Sequence, residues 1–129
     1  MVNNRGYILH KVGYKKGRRH DYDIYKDNHH ITPKQVVNVI DLGYFGVETD
    51  FPWQLSTLPC KRKRHQILSQ EIDYNIIHSK KRIVIEYIIN RMKKYRILSN
   101  VFRNKSREHN NVSDIVTKLI NYRIMNHYC

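Results

Sequence analysis

The sequence predicts an α/β fold in which short strands occupy the first half of the chain and helices the second half. Two observations carry this prediction. Before Cys60, short alternating or β-branched runs such as Arg5–Val12 and Gln35–Ile40 are bounded by glycine and proline. From about Gln66 onward, isoleucine and other apolar residues recur at helical spacing instead. At 129 residues the chain is long enough to bury a core, and we expect a single domain.

The strands are expected within about residues 5–60. The first is Arg5–Val12, which alternates enough to be a strand and has Gly6 in its opening turn. The second, Gln35–Ile40, is β-branched and bounded by turn residues, as a buried strand would be, and Asp41 stands at its C-terminal end. Strand ends that face a loop are favoured positions for functional carboxylates in open α/β sheets. A third short strand is predicted at Leu55–Cys60.

A short helix is predicted after the first strand, from about Asp21 or Tyr22 to Asp27. Asp21 is suited to cap the N-terminus of this helix, and His20 beside it is either a ligand or a loop residue. The loop before the helix is glycine-containing and basic, and its charged residues are Lys15, Lys16, Arg18 and Arg19.

The helices are expected within about residues 66–125. Apolar residues at Ile67–Ile77 have a rough helical period that is interrupted near residue 78, and a longer helix is predicted at Lys80–Leu98. A polar loop follows. Asn110 or Asn111 is then predicted to cap a last amphipathic helix.

The predicted helix Lys80–Leu98 carries a single carboxylate, Glu86. On a helical wheel, Arg82, Asn90 and Lys93 fall within roughly 40° of it and form a polar stripe. Since most of the remaining surface is apolar, we expect the helix to be wedged into the core with Glu86 at the border of a polar site. The competing interpretation is an ion pair between Arg82 and Glu86, which is worth only about 0.2–0.5 kcal/mol in this order along a helix.

The formal net charge of +13 and the pI of about 9.9 predict a polyanionic partner, most commonly nucleic acid. The basic run Lys61–His65 is typical of a nucleic-acid patch and equally of a solvated loop. Cys60 and Cys129 have no disulfide-framework spacing, which suits a reducing cytosol. No export signal or membrane-spanning apolar stretch occurs, so we expect a cytoplasmic protein without a membrane partner.

Three acids are distinguished by their context, namely Asp21 after a basic loop, Asp41 at a strand end and Glu86 on an apolar helix. On a basic chain they suggest ligands that gather Mg²⁺ or Mn²⁺ beside a bound polyanion. Two such ions about 3.5–4 Å apart can stabilise the attacking and leaving oxygens of a phosphoryl displacement.

Other chemistries are less well supported. Cys60 near His65 and the pair His29 and His30 are poor zinc signals, and no Walker-type loop or nucleophile elbow occurs.

Several tyrosines either stack on unpaired bases or pack within the protein, and packing is the favoured interpretation. These tyrosines are Tyr14, Tyr22, Tyr25 and Tyr44.

The segment KRIVIEYIINRMKKYRIL, followed by SNVFRN, resembles the C-terminal signature of bacterial and archaeal insertion-sequence transposases of the DDE superfamily, related to the Harbinger type. That signature has an Arg, three residues, the catalytic Glu, six residues and a Lys, which Arg82, Glu86 and Lys93 fit. The family also has an Asp followed by Gly-Tyr at a strand end, which IDLGYFG supplies through Asp41.

A third block of the family, a Gly followed by His-Asp opening a small helix, is similar to Gly17, His20 and Asp21. The three blocks occur in order and span most of the chain, which makes the resemblance specific. One departure is Ser79, since the family has a Tyr three residues before the signature Arg.

The resemblance implies an RNase H-like fold in which two Asp and one Glu bind divalent metal, and water or a DNA 3′-hydroxyl attacks a phosphodiester. By this carry-over Asp41 and Glu86 are the second and third acids and the metal ligands, and Asp21 is an accessory acid. Arg82 and Lys93 would contact DNA phosphate or orient the Glu. A two-metal site with Mg²⁺ or Mn²⁺ is expected. The other basic residues expected at DNA are Arg18, Arg19, Lys61, Arg62, Lys63 and Arg64.

The first catalytic Asp of such transposases lies on a strand upstream of the segment that matches Arg5, and no residue of this chain matches it. The resemblance therefore predicts the C-terminal half of a transposase catalytic domain: a decayed fragment, one part of a split reading frame or a truncated product. Alone, it is predicted not to catalyse transposition. The implied partners are the DNA ends of a mobile element in the prokaryotic nucleoid and an upstream-encoded N-terminal half. The alternatives are a non-catalytic basic nucleic-acid-binding remnant and a structural ribonucleoprotein component.

Overall fold

The computed structural model describes residues 1–15, 19–29, 31–60, 68–99 and 106–127. The chain divides into two compact units. The central unit is Gly17–Arg82, and the terminal unit combines Met1–Lys16 with Ile83–Cys129. The longest helix contributes its first part to the central unit and the remainder to the terminal unit.

The central unit contains a small parallel sheet, short helices and the start of the long helix. The sheet pairs Asn38 with Ser56 and Val39 with Thr57. Its elements in chain order are α1 (Asp21–Asp27), β1 (Asn38–Val39), a 3₁₀ turn (Leu42–Tyr44), α2 (Val47–Asp50), β2 (Ser56–Thr57) and the first part of α3 (Ser69–Lys93). This mixture of strands and helices is the α/β class predicted from the sequence, and α1 has the predicted bounds.

The strands are shorter than predicted. Gln35–Ile40 was expected to be a buried strand, yet only Asn38–Val39 is paired, while Val36 and Val37 are exposed. Leu55–Cys60 likewise contributes only Ser56–Thr57. Each apolar run therefore marks the place of a strand correctly. Within the described residues, however, each strand has only the other short strand to pair with.

Helix α3 runs without a break from Ser69 to Lys93, so the predicted interruption near residue 78 is wrong. The two polar residues at that place are accommodated within the helix. His78 is buried, with its Nε2 atom 3.0 Å from the carbonyl oxygen of Thr57, and the hydroxyl of Ser79 donates to the carbonyl of Ile76 at 2.9 Å. The helix also ends earlier than Leu98.

The expectation that this helix is wedged into the core is wrong for most of its circumference. Ile88 is 2% exposed, whereas Ile83, Tyr87 and Ile89 are 58%, 56% and 42% exposed. Apolar residues surround the helix, but in the described residues only the stripe that includes Ile88 packs against the terminal-unit core.

No helix in the described ranges is long and apolar enough to cross a membrane.

The helices of the terminal unit are the remainder of α3, the short helix α4 (Arg96–Ser99) and α5 (Ser106–His127). Gly6, at φ +88°, brings the N-terminal segment close to this core, and a Cβ there would lie 3.3 Å from Ile88 Cδ1. A side chain at that position would therefore disturb both the backbone and the packing. The buried residues of the core are Ile8, Ile88, Val116, Ile120 and Ile124.

The predicted strand Arg5–Val12 does not form within the described residues, where this segment makes only an isolated antiparallel bridge between Val2 and Ile8. A side chain takes the place of a neighbouring strand. Asn121 of α5 accepts from the Ile8 backbone N–H at 2.9 Å and donates to the Ile8 carbonyl at 3.0 Å. The extended segment is thus paired with an amide on a helix.

Helix α5 begins several residues before the predicted cap at Asn110 or Asn111. Asn110 lies inside the helix, and its side-chain oxygen accepts from the backbone N–H of Tyr14 at 2.7 Å. Its polar side chain therefore fixes the N-terminal segment and does not terminate the helix.

Candidate functional site

Asp41 lies where the sheet of the central unit ends. Ile40, the residue after β1, donates its N–H to the Thr57 carbonyl at 2.9 Å, and Asp41 follows directly. The Oδ1 atom of Asp41 accepts from the Leu42 N–H at 2.7 Å and thereby caps the 3₁₀ turn. Gly46 then adopts φ +101° before α2, a conformation that favours glycine. The sequence IDLGYFG therefore folds into a tight turn that fixes the Asp41 carboxylate.

The Asp41 carboxylate forms an ion pair with Arg82 of α3. The Arg82 guanidinium donates to Asp41 Oδ2 at 2.9 Å, and the two side chains are 26% and 50% exposed. Both oxygens of Asp41 therefore accept a hydrogen bond, one from a backbone amide and one from a cation. Two residues that sequence reasoning placed in separate motifs meet within the central unit.

Asp21 is the first residue of α1, and it is exposed. The N-cap of this helix is His20, whose ring nitrogen accepts from the Tyr22 N–H at 3.3 Å, so the prediction that Asp21 caps the helix is wrong. As an acid in the first turn, Asp21 instead interacts favourably with the helix dipole. His20 thus has the role of a loop residue that caps α1.

Asp21 and Asp41 both act electrostatically on the hydroxyl of Tyr44. Burial raises the pKa of Tyr44 from its ordinary value, and the charges of Asp21, Tyr25 and Asp41 raise it further. The ring of Tyr44 packs edge-on against the rings of Tyr22 and Tyr25 of α1, with centroids 6.0 Å and 5.6 Å apart. The turn that follows Asp41 is thereby attached to the helix that begins at Asp21.

Glu86 and Lys93 lie on the part of α3 that belongs to the terminal unit. Both side chains are exposed, and Ile88 between them is buried. The predicted polar stripe therefore faces away from the terminal-unit core. Within its own unit, Arg82 of this stripe pairs with Asp41.

The predicted DNA-binding residues of the loops are described only in part. Arg19 forms an ion pair with Asp27 of α1 at 2.6 Å, and its side chain is 44% exposed. The remaining loop residues of the prediction lie outside the described ranges; they are Arg18, Lys61, Arg62, Lys63 and Arg64.

Three tyrosines of the central unit, Tyr22, Tyr25 and Tyr44, pack on one another, which confirms the favoured interpretation for these three. Tyr22 is buried, and its ring lies 6.3 Å from that of Tyr25. The exposed aromatic side chains of this unit include Phe45, at 68%, and Trp53, at 57%, which sequence reasoning did not single out. Aromatic rings that accept unpaired bases must be accessible, so Phe45 and Trp53 meet this condition better than the packed tyrosines.

A second carboxylate of the central unit, Asp50, has a structural role. Its Oδ2 atom accepts from the Tyr22 hydroxyl at 2.5 Å and lies 3.2 Å from Lys26 Nζ. These contacts hold the pKa of Asp50 below its ordinary value. Burial, together with the hydrogen bond to Asp50, raises the pKa of Tyr22 to about 12.

The Asp41 carboxylate is the kind of oxygen ligand that a hard divalent cation prefers. Within the described residues, no group of three or more His, Cys, Asp and Glu side chains is gathered closely enough to hold a metal ion. Mg²⁺ does not require such a cage, because it is usually bound through one or two carboxylates, several waters and substrate phosphates. Asp41 offers an accessible carboxylate that already binds a cationic group.

Cys60 and His29, which were poor zinc signals in the sequence, make other contacts in the structure, and His30 and His65 lie outside the described residues. Asn75 of α3 holds the backbone of Cys60, accepting from its N–H at 2.7 Å and donating to its carbonyl at 3.2 Å. The ring of His29 stacks on Phe51 with centroids 4.0 Å apart, and its Nε2 lies 2.7 Å from Gln54 Oε1.

Comparison with known proteins identifies the family. The profile of a family described as "DDE superfamily endonuclease" matches residues 1–121. The chain belongs to this family. It is also 31% identical over 114 residues to a protein of Microchaete diplosiphon named "Probable transposase for insertion sequence element IS702". That match covers 88% of the chain and 41% of the relative, and no solved structure matches.

The resemblance to DDE-superfamily insertion-sequence transposases, inferred from three motifs, is therefore confirmed. Membership of an endonuclease family does not favour the alternative of a non-catalytic nucleic-acid-binding remnant. The chain spans less than half the length of the relative it matches.

Proposed function

We propose that this DDE-superfamily chain provides two acids of a metal-dependent site that cleaves DNA phosphodiesters and joins DNA strands. The observation that supports the proposal is the ion pair between Asp41 and Arg82 at 2.9 Å. Asp41 belongs to the motif IDLGYFG, whereas Arg82 belongs to the signature that contains Glu86. Contact between these motifs is expected if both contribute to one RNase H-like active site.

In this proposal Asp41 and Glu86 are the metal ligands, and Asp21 is an accessory acid. Bound Mg²⁺ or Mn²⁺, in a two-metal arrangement, would activate the attacking oxygen and stabilise the leaving one. Arg82 and Lys93 bind phosphate oxygens, which guanidinium and ammonium groups do well. The basic residues Arg18, Arg19 and 61–64 add phosphate contacts along the DNA.

The match covers only 41% of the relative, so we also propose how the whole protein would be active. No residue of the chain matches the first acid of the DDE site. We propose that an N-terminal part, encoded upstream or separately, supplies this acid and the missing strands. The DNA substrate would be the ends of a mobile element, and the protein would act at the nucleoid.

The test is nicking of supercoiled DNA in Mg²⁺ by this chain, alone and together with the upstream-encoded segment. We expect activity only in the combined form, and we expect its loss in Asp41→Asn and Glu86→Gln. Asp73→Asn is the matched control, since Asp73 is another exposed acid on α3. Combined activity that survives Glu86→Gln would overturn the assignment of this residue.

A further inference from the structure

We propose that Arg82 occupies the cation position of Asp41 in the absence of metal, and that divalent metal displaces it toward DNA phosphate. This inference rests on the proposed function, because it takes Asp41 to be a metal ligand. It assigns Arg82 two successive partners: a carboxylate of its own chain before the metal binds, and a phosphate of the substrate afterwards.

The hydrogen bonds of Asp41 distinguish its two oxygens. Oδ1 accepts from the Leu42 N–H at 2.7 Å, a backbone contact that holds the carboxylate in the turn. Oδ2 accepts from the Arg82 guanidinium at 2.9 Å. A neutral amide can remain beside a bound metal, but the guanidinium cannot retain its contact without cost, because two cations would share one oxygen. Metal and Arg82 therefore compete for Oδ2.

The exposure of the pair favours such an exchange. The side chains of Arg82 and Asp41 are 26% and 50% exposed, so water and ions reach the contact. An ion pair of this exposure is weak, and a divalent cation has twice the charge of the guanidinium. Once displaced, Arg82 would prefer phosphate, whose oxygens its planar fork binds in a bidentate manner.

The test uses the full chain and Mn²⁺ alone, without DNA. Paramagnetic broadening of the Leu42 amide signal in nuclear magnetic resonance reports Mn²⁺ at Asp41, because this amide donates to the carboxylate. In Arg82→Gln we expect the apparent affinity for Mn²⁺ to rise about twofold to fivefold, the range for losing an exposed ion pair. Lys81→Gln is the matched control, since it removes one positive charge from an exposed neighbour, and its Mn²⁺ affinity should stay near that of the unmodified chain.

A second measurement follows Arg82 after its displacement. Binding of duplex DNA by Arg82→Gln should be weakened more in the presence of Mg²⁺ than in its absence, because only the displaced guanidinium reaches phosphate. Circular dichroism and urea unfolding verify that each variant is folded.

The outcomes separate the two proposals. Equal or weaker Mn²⁺ binding in Arg82→Gln, with binding abolished by Asp41→Asn, would overturn the competition and leave the proposed metal site intact. No broadening at Leu42 in either the unmodified chain or Arg82→Gln would overturn both. An equal DNA-binding loss with and without Mg²⁺ would also contradict the displacement.

Discussion

The carboxylate of Asp41 accepts a hydrogen bond from the backbone N–H of Leu42 at 2.7 Å, so the proposed metal ligand is also the cap of a helical turn. The same side chain therefore has a structural role in addition to the chemical role that we propose for it. The two roles use different atoms, since the cap engages Oδ1 and the ion pair with Arg82 engages Oδ2. Substitutions can separate them.

We predict that Asp41→Asn leaves the free energy of unfolding within about 1 kcal/mol of the unmodified value, because asparagine retains the capping oxygen and an exposed ion pair contributes little. Asp41→Ala removes the cap as well and should cost about 1 kcal/mol more. Urea unfolding measures both. Equal stability of the alanine and asparagine variants would show that the cap does not contribute.

The sequence predicted the local elements of the site better than their partners. The helix Asp21–Asp27 and the turn after Asp41 depend on neighbouring residues, namely a capping side chain and glycines, and both were located. Sequence reasoning considered Glu86, four residues away, as an ion-pair partner of Arg82 only as a competing interpretation, and it did not predict the ion pair with Asp41, which is 41 residues away. Helical periodicity describes only which residues share a face of their own helix.

The errors in the fold prediction also arise because local patterns do not show long-range partners. The segment Arg5–Val12 alternates like a strand, but its backbone at Ile8 is paired with Asn121, which is 113 positions away. Asn110 resembles a helix cap, but its side chain accepts from Tyr14, 96 positions away. Neither long-range contact leaves a signal in a local window, so pattern and propensity alone gave the wrong element at Arg5–Val12 and the wrong start for the last helix.

The contact between Asn121 and Ile8 leads to a prediction about stability. Asn121→Ala removes the donor and the acceptor that satisfy the Ile8 backbone, and we expect a loss of about 1–3 kcal/mol in the free energy of unfolding. Asn126→Ala is the matched control, since Asn126 is exposed on the same helix. Urea unfolding measures both variants. Equal losses would indicate that the change reflects helix propensity and not the contact with Ile8.

The buried tyrosine of the central unit leads to a prediction about alkaline stability. The pKa of Tyr22 is raised to about 12 from an ordinary value of 10.0. Between these values the unfolded chain loses the proton while the folded chain keeps it, so the contribution of Tyr22 is complete below pH 10 and declines as the pH rises toward 12. Phenolate absorbance should show a tyrosine with a pKa of about 12. Tyr22→Phe should remove this titration, and Asp50→Asn should lower its pKa; a tyrosine that still titrates with a pKa of about 12 in Tyr22→Phe would contradict the assignment.

The orientation of α3 around Glu86 is tested by two adjacent isoleucines. Ile88 is 2% exposed and Ile89 is 42% exposed. We predict that Ile88→Ala lowers the free energy of unfolding by about 2–5 kcal/mol through a cavity in the terminal-unit core, and that Ile89→Ala costs much less. Chemical unfolding of the two variants gives the comparison. A larger loss of stability in Ile89→Ala than in Ile88→Ala would mean that the other face of the helix is buried. The side chain of Glu86 would then point in a different direction from the one described above.

The dependence of DNA binding on salt should distinguish two of the proposed phosphate contacts. Lys93 is exposed at the end of α3, whereas Arg19 is held by Asp27 at 2.6 Å. A cation that already has an acidic partner must give up that contact to bind phosphate, so it gains less from DNA. We predict that Lys93→Gln reduces the slope of log affinity against log salt by about 0.9, the value for one phosphate contact, and that Arg19→Gln reduces it less.

Affinities measured for one duplex over a series of salt concentrations give both slopes. A larger effect of Arg19→Gln would mean that the ion pair with Asp27 opens when DNA binds, and an unchanged slope in Lys93→Gln would exclude this lysine from the DNA interface.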